Sequence, residues 1–425
     1  MSPAATADRV ARVVALPPAE PRVVWTLIYV AFLSYIFAVT TYKLPIATAA
    51  MIAALIGLVL QREGWRLPPF LVLLVLFLGW CVVSSMTTAF PAPVQENVVL
   101  LAKLCVIVLV ATNAVRSPAQ VRFYMIFFLA CYALFPIRGT ILNYVVWHET
   151  LFGRAIWNYI YDNPNDLAAM TLLALSIAAA LLAMERTGWI RWCAIAGLAV
   201  LPMVILMTQS RGGFVALCVF AALAMVGRGR ARRMRTALII ATLAVALVPV
   251  APSGVWTRVK GLAHVTGNLD EVDPEGSAKD RFEIWQVATA IVADHPWTGI
   301  GWGAYPQAHA NYSALTDLDP DARGQRDTHS TYLNVLAETG FPGLLLFLAV
   351  VGVVVRAADR ARRRCLRTQP RLALQLKYLE LGLVAFLVAG VFGSFAKLSF
   401  LYLHLVLLWA AAHNATAAAR LGSRA

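Results

Sequence analysis

Apolar runs of membrane-spanning length return along this sequence about twelve times, at approximately 23–41, 44–60, 67–89, 97–114, 121–137, 165–184, 190–208, 211–227, 236–252, 341–356, 375–395 and 398–415. Segments of roughly 17–25 apolar residues cross the hydrocarbon as helices. Lipid leaves no place for an open sheet edge or for irregular backbone facing it. The chain is therefore expected to fold as an all-α polytopic membrane protein. Composition agrees: 60% of the 425 residues are hydrophobic, 14% are charged and the mean hydropathy is +0.70, outside the range of a soluble domain of this size.

A net charge of +14 suggests nucleic acid until its distribution is read. Most of the 36 basic residues fall in alternate connections: Arg9, Arg12 and Arg22; Arg62 and Arg66; Arg116 and Arg122; Arg186 and Arg191; the cluster from Arg228 to Arg235; the run from Arg356 to Lys377; and Arg420 with Arg424. That alternation is the positive-inside pattern. It puts both termini in the cytoplasm and makes the partner a membrane, with no nucleic acid implied. The first apolar run lacks a cleavage pattern and is read as a retained helix. The six cysteines, Cys81, Cys105, Cys131, Cys193, Cys218 and Cys365, lie in apolar segments or an inside connection and form no CxxC, so neither a disulfide framework nor a thiolate metal site is indicated.

Three regions follow. Residues 1–252 carry nine spanning helices and an outer loop near 138–164, residues 253–340 form a large outer loop, and residues 341–425 carry the last three helices. Loops this long are functional or disordered, and the aromatic residues in these two argue for order. In the first, Tyr144, Trp147, Trp157, Tyr159 and Tyr161 lead to Asp162-Asn163-Pro164-Asn165-Asp166, and a half-buried helix lying along the interface is expected. The second opens on the acidic stretch Asp270–Gly276. It then predicts a helix capped by Asp280, with Ile284, Trp285, Ala288, Ile291 and Val292 at helical spacing, ending near Asp294-His295-Pro296. A glycine-rich turn follows over 297–303. A third element begins at Asp327-Thr328-His329, turns Tyr332, Leu333 and Leu336 to one side, and ends at Gly340.

Against this background one cation is out of place. Arg211 lies between two apolar runs, on the outer side, followed by Gly212 and Gly213. A charge there is costly and is kept for an ion, proton or anionic-substrate pathway; snorkelling to the interface is the alternative. Glycine at 212 admits close approach of a ligand or a neighbouring helix. Arg281 sits just after the expected cap, where the helix dipole disfavours a cation unless an anion is near; a surface salt bridge to Asp280 or Glu283 would be the ordinary alternative. His329 starts an element on the same outer face, and nearby cations would keep it neutral and ready to accept a proton.

Metal and nucleotide chemistry have little support. His295, His309 and His329 are 14 and 20 residues apart with no short ligand pair. Asp317-Leu318-Asp319-Pro320-Asp321 lacks the glycine and distal glutamate of an EF-hand loop and reads as a solvated acidic stretch. There is no P-loop and no strand-borne GxGxxG. No cofactor is expected.

The same residues form a family pattern. Gln209-Ser210-Arg211-Gly212-Gly213, Arg281-Phe282-Glu283-Ile284-Trp285, the stretch from Pro296 to Gly303, and His329-Ser330-Thr331-Tyr332-Leu333 with Glu338-Thr339-Gly340 and Gly343 resemble the O-antigen ligase/polymerase family, by motif over about 160–360. The Asp162–Asp166 stretch resembles the family's Asp/Pro/Asn segment before a central helix. The resemblance implies a GT-C-like, metal-independent glycosyltransferase of the bacterial inner membrane with a periplasmic active site. Its donor would be a glycan on undecaprenyl diphosphate, and its acceptor the lipid A core in ligases, a second lipid-linked chain in polymerases, or protein or exopolysaccharide in relatives. By motif, Arg211, Arg281 and His329 are the functional arginines and histidine. Arg138, Arg154, Gly212, Trp302 and Tyr305 complete the expected substrate-binding set, the aromatic pair as platforms for sugar faces, although packing is the safer reading for each. A lipid transporter would also place arginines in the membrane, but the inverted repeats and paired broken helices of that class are not detected.

Overall fold

The computed structural model describes residues 22–42, 44–159, 163–227, 229–247, 277–314 and 322–422. Asp270–Gly276, Asp317–Asp321, Tyr161, Asp162, Arg9, Arg12, Arg228 and Arg424 lie outside them. The chain is an all-α polytopic membrane protein: α1 (Leu27–Thr40), α2 (Ile46–Leu60), α3 (Pro69–Ser85), α4 (Pro91–Ala114), α5 (Pro118–Tyr132), α6 (Arg138–Leu142), the two-residue strands β1 (Thr150–Leu151) and β2 (Arg154–Ala155), α7 (Pro164–Met184), α8 (Trp189–Met207), α9 (Arg211–Met225), α10 (Arg230–Leu247), α11 (Ser277–Asp294), α12 (Tyr305–Ser313), α13 (Thr331–Thr368), α14 (Pro370–Ala389) and α15 (Ser399–Gly422).

Seven described helical segments are long and apolar enough to cross a membrane, and α1, α2, α3 and α9 are shorter apolar helices. The expected ninth span over 236–252 overlaps α10 as far as Leu247, and its residues 248–252 lie outside the described ones. That helix begins six residues earlier than expected and takes Arg230, Arg233 and Arg235 into its first turns, so it does not join either apolar group.

The centre of the bundle is α7. From Leu167 to Leu181 every residue is buried, and the only polar side chains among them are the small Thr171 and Ser176. A helix with no polar face is buried on all sides. Small residues let its neighbours close in: a Cβ on Gly382 of α14 would meet the Ser176 side chain at 2.2 Å, the close approach that membrane helices use in place of a hydrophobic drive.

The arginine-bearing connections gather at one end. Arg116 pairs with Glu63 at 2.6 Å and Arg122 with Glu185 at 2.6 Å, the Arg66 N–H donates to Asn113 Oδ1, and Arg122, Glu185, Arg371 and Asn414 line one cavity. The loops gather at the other end.

The first loop differs from the expected interfacial helix. Helix α5 continues through two π-helical segments, Ala133–Ile137 and Asn143–Trp147, to Trp147. Pro136 lies in the first of these segments; proline cannot donate the helical hydrogen bond, and a π-bulge accommodates the misfit. A hairpin follows, with Thr150 opposite Ala155 and Leu151 opposite Arg154. Phe152 and Gly153 at its tip both have positive φ, as a two-residue type I′ turn requires.

The second loop is a small domain with its own core: Ile284, Val287, Ala288 and Ile291 of α11 pack with Ile300, Ala304, Tyr305 and Ala308, and with Val94 of α4. Helix α11 starts at Ser277, so Asp280 lies in its first turn rather than capping it, and it ends at Asp294 as Pro296 dictates. The third element does end at Gly340, but as a kink within α13, φ 67° and ψ −175°. The backbone groups freed by that break are used: the Ala337 and Glu338 carbonyls accept from the Ile300 and Gly301 N–H groups, and the Phe341 N–H donates to the Pro296 carbonyl.

Candidate functional site

Four of the expected residues come to the loop end of the bundle. Arg211 is the first residue of α9, half-buried, behind the N-cap Ser210, whose hydroxyl accepts from the Gly213 N–H at 3.2 Å. A cation at the positive end of a helix is favoured beside negative charge, and together with first-turn N–H groups it makes a terminus suited to an anion. The turn is fixed from below by Asn165, the second residue of α7. Its Oδ1 accepts from Ser210 Oγ at 2.8 Å and from Arg154 Nη2 at 2.9 Å, while Arg154 Nε donates to the Thr208 carbonyl at 2.9 Å. Gln209 Nε2 in turn donates to the Gly153 carbonyl. The hairpin thereby places a second arginine on the Arg211 turn.

His329 precedes α13 by two residues and has φ +50°. That conformation is rare outside glycine and costs on the order of 1–3 kcal/mol, so its flanks must hold it. Trp285 Nε1 of α11 donates to the Thr328 carbonyl at 2.9 Å, Thr328 Oγ1 meets Ser394 Oγ at 2.9 Å, and the Thr331 N–H donates to the Gly390 carbonyl at 2.8 Å. The imidazole itself is open, 32% exposed, with Nδ1 3.9 Å from Asp327 Oδ2. Burial, then the Arg281 guanidinium, with smaller pushes from Arg326 and Arg154, hold it below the usual histidine range against the pull of Asp327. A neutral imidazole at pH 7 has a lone pair for a proton.

The turn after α14, residues 390–395, links the two halves. It grips Thr331 beside His329, with Thr331 Oγ1 donating to the Gly393 carbonyl at 2.6 Å. It also presses Phe392 against α9, where a Cβ on Gly212 would come within 2.8 Å of the Phe392 side chain. Gly212 is thus buried for helix packing, and the expected role of its missing side chain, admitting substrate, is corrected.

Trp302 and Tyr305 are corrected as well. Trp302 is buried edge-on against Phe77, centroids 5.3 Å apart, with Lys397 Nζ 5.1 Å from its ring centre. Tyr305 is fully buried and its hydroxyl donates to the Ile284 carbonyl at 3.1 Å. Neither has a face open to a sugar. Arg138 is exposed and lines a separate pocket with Trp147, Glu149 and Tyr159.

Residue type alone missed the 390–395 turn, which was expected to be the end of a spanning helix; its signal is Gly390-Val391-Phe392-Gly393-Ser394, two glycines and a serine inside an apolar run. It also missed Lys397, which pairs with the buried Glu338 at 3.3 Å. Among the described residues no three His, Cys, Asp or Glu side chains gather as a metal site.

Residues 196–348 match the family model described as O-antigen ligase, a stretch that contains Arg211, Arg281 and His329. No curated protein matches the chain.

Proposed function

We propose, from the match of residues 196–348 to the O-antigen ligase family model, that this chain is an inverting, metal-independent glycosyltransferase that moves a glycan from undecaprenyl diphosphate to an acceptor hydroxyl, with the lipid A core as the acceptor. The observation that carries the reading is a half-open histidine kept neutral beside Arg281 and Arg154, with Arg154 hydrogen-bonded into the turn that starts at Arg211.

In this mechanism the acceptor oxygen attacks the anomeric carbon from the face opposite the diphosphate. The new C–O bond forms as the bond to the diphosphate oxygen breaks, and the electron pair leaves with undecaprenyl diphosphate. The hydroxyl proton passes to the His329 imidazole. Arg211 and Arg281 hold the phosphate oxygens, since the planar guanidinium matches them with two parallel hydrogen bonds, and they stabilise the charge that grows on the leaving group. Arg154 adds a third positive charge and fixes the Arg211 turn. The arginine-rich end faces the cytoplasm and the loop end faces the periplasm of the inner membrane, with both termini cytoplasmic.

Purified protein in nanodiscs, given lipid-linked donor and lipid A core without nucleotide, is expected to yield the joined product, and His329→Ala at equal abundance to lose it. Substantial turnover by that variant would remove His329 as the base. Product on a longer undecaprenyl-linked chain or on protein would replace the ligase assignment with the polymerase or protein-modifying one.

A further inference from the structure

The hairpin β1–β2 carries Arg154, which reaches the Arg211 turn. The residues flanking the hairpin open onto a pocket of about 590 Å³ that the proposed chemistry does not use. Its floor is Trp157, 3% exposed, seated over Gly139, where a Cβ would lie 1.7 Å from the indole. Tyr42 and Tyr159 stand against that floor, with ring centroids 5.8 Å and 4.9 Å from it and 4.8 Å from each other. Trp147 adds a further aromatic surface, 58% exposed, and Tyr159 is 52% exposed.

Exposed aromatic residues at a membrane interface ordinarily anchor the protein in headgroups. This pocket differs in its polar lining. Glu149 Oε2 accepts from Asn158 Nδ2 at 2.9 Å, and Arg138 and Asn143 complete the wall. Open aromatic faces beside a carboxylate, amides and a guanidinium suit a ligand with both C–H faces and hydroxyl edges. Pyranose rings are such ligands.

Arg138 also stands at the end of a second, apolar cavity between α5 and α8 that runs down to Trp189 and Ile190. An apolar channel in the bundle surface that meets a wet aromatic pocket at Arg138 matches a molecule with a hydrocarbon part and sugars.

We propose that the pocket walled by Trp147, Tyr159, Glu149 and Asn158 is a glycan-binding subsite that takes pyranose residues of a lipid-borne glycan, one hairpin away from the reacting centre. This rests on the transferase reading for its purpose, but binding at the pocket does not. The hairpin couples the two: the backbone that places Glu149 and Asn158 in the pocket also carries Arg154.

The test is saturation-transfer NMR on the nanodisc-embedded protein with water-soluble core oligosaccharide released from lipopolysaccharide by mild acid. The free oligosaccharide carries no polyprenyl diphosphate leaving group, so its binding requires no turnover. Wild type is expected to give saturation signals from ring protons. Trp147→Ala and Tyr159→Ala, both at exposed positions, are each expected to weaken binding about tenfold, the effect of losing one aromatic contact. Trp147→Phe, which keeps a ring, should bind as wild type, and Glu149→Gln should weaken binding without altering the thermal midpoint. In the transfer assay the alanine variants should raise KM for the glycan substrate and leave kcat at saturation in place. No saturation signal in wild type, or equal binding by wild type and Trp147→Ala, overturns the subsite. Pocket-dependent binding with no transfer by wild type would sustain the subsite and refute the transferase reading.

Discussion

His329 can serve as a base only while its imidazole is neutral, and its neutrality comes from burial and from Arg281. The sign follows directly. A pKa held below the usual value keeps the neutral form present at and above pH 7, and transfer is lost as pH falls through that lowered pKa. Removing the Arg281 charge raises the pKa, so the acid limb of kcat/KM in Arg281→Gln is expected at higher pH than in wild type, whereas Arg281→Lys should leave it near its place. Profiles between about pH 5 and 8 measure this, and a limb that stays put in Arg281→Gln would rule out the electrostatic role. For Arg211 the geometry of the fork matters as well as the charge. Arg211→Lys keeps the charge and loses the two parallel hydrogen bonds, with an expected fall of about tenfold in kcat/KM, or ~1.4 kcal/mol. Full transfer with unchanged donor affinity would exclude bidentate binding there. Arg211 stood out in the sequence because an ionisable group beside an apolar run is expensive, while Arg281 and His329 stood out only by motif. For Trp302 and Tyr305 the sequence left two readings, because an aromatic residue in a glycine-rich stretch looks the same whether its ring meets a ligand or packs; the packing reading holds, against Phe77 and the Ile284 carbonyl.

Helix α13 shows what periodicity reveals and what it hides. The stop at Gly340 was legible, since glycine alone tolerates φ +67° comfortably, and it became a kink because the chain beyond it is apolar enough to continue across the membrane. The buried side was not legible. Tyr332, Leu333 and Leu336 are half-buried, and the inward residues are Thr331, Asn334, Val335, Ala337 and Glu338. An apolar pattern cannot anticipate a buried carboxylate whose partner, Lys397, arrives from 59 positions along the chain. Gly340 also has no room for a side chain, as a Cβ would lie 2.1 Å from the Trp297 carbonyl oxygen. Gly340→Ala should therefore cost at least about 1–3 kcal/mol from the backbone conformation alone and displace the 296–303 turn that bonds to the Ala337 and Glu338 carbonyls. A lowered thermal midpoint together with reduced transfer is the expected result. Gly64→Ala, where a Cβ meets nothing within 4 Å, serves as the control, and equal midpoints for the two variants would refute the account.

Across the whole molecule the two ends of the bundle are chemically unlike, and this asymmetry was the most legible property of the chain. Arginines at alternate connections were expected on one side, and the fold gathers them there: Arg66, Arg116, Arg122 and Arg191 bond to one another's connections and to Glu63 and Glu185. What the alternation could not convey is the architecture of the opposite end, because a hairpin of two-residue strands and a small domain with its own core leave no long periodic signal. Lysine and arginine bias sets orientation during insertion, so the arginine end should be cytoplasmic and the hairpin tip periplasmic. Phe152, 88% exposed at that tip, and Thr187, exposed in the arginine-end connection, report the two sides. The native cysteines lie within helices, and wild type measures their background. Phe152→Cys is expected to react with a membrane-impermeant maleimide in intact cells whose outer membrane has been permeabilised, and Thr187→Cys only after the inner membrane is opened. The reverse pattern would turn the molecule over and put Arg211, Arg154 and His329 on the cytoplasmic side, where a periplasmic acceptor could not reach them.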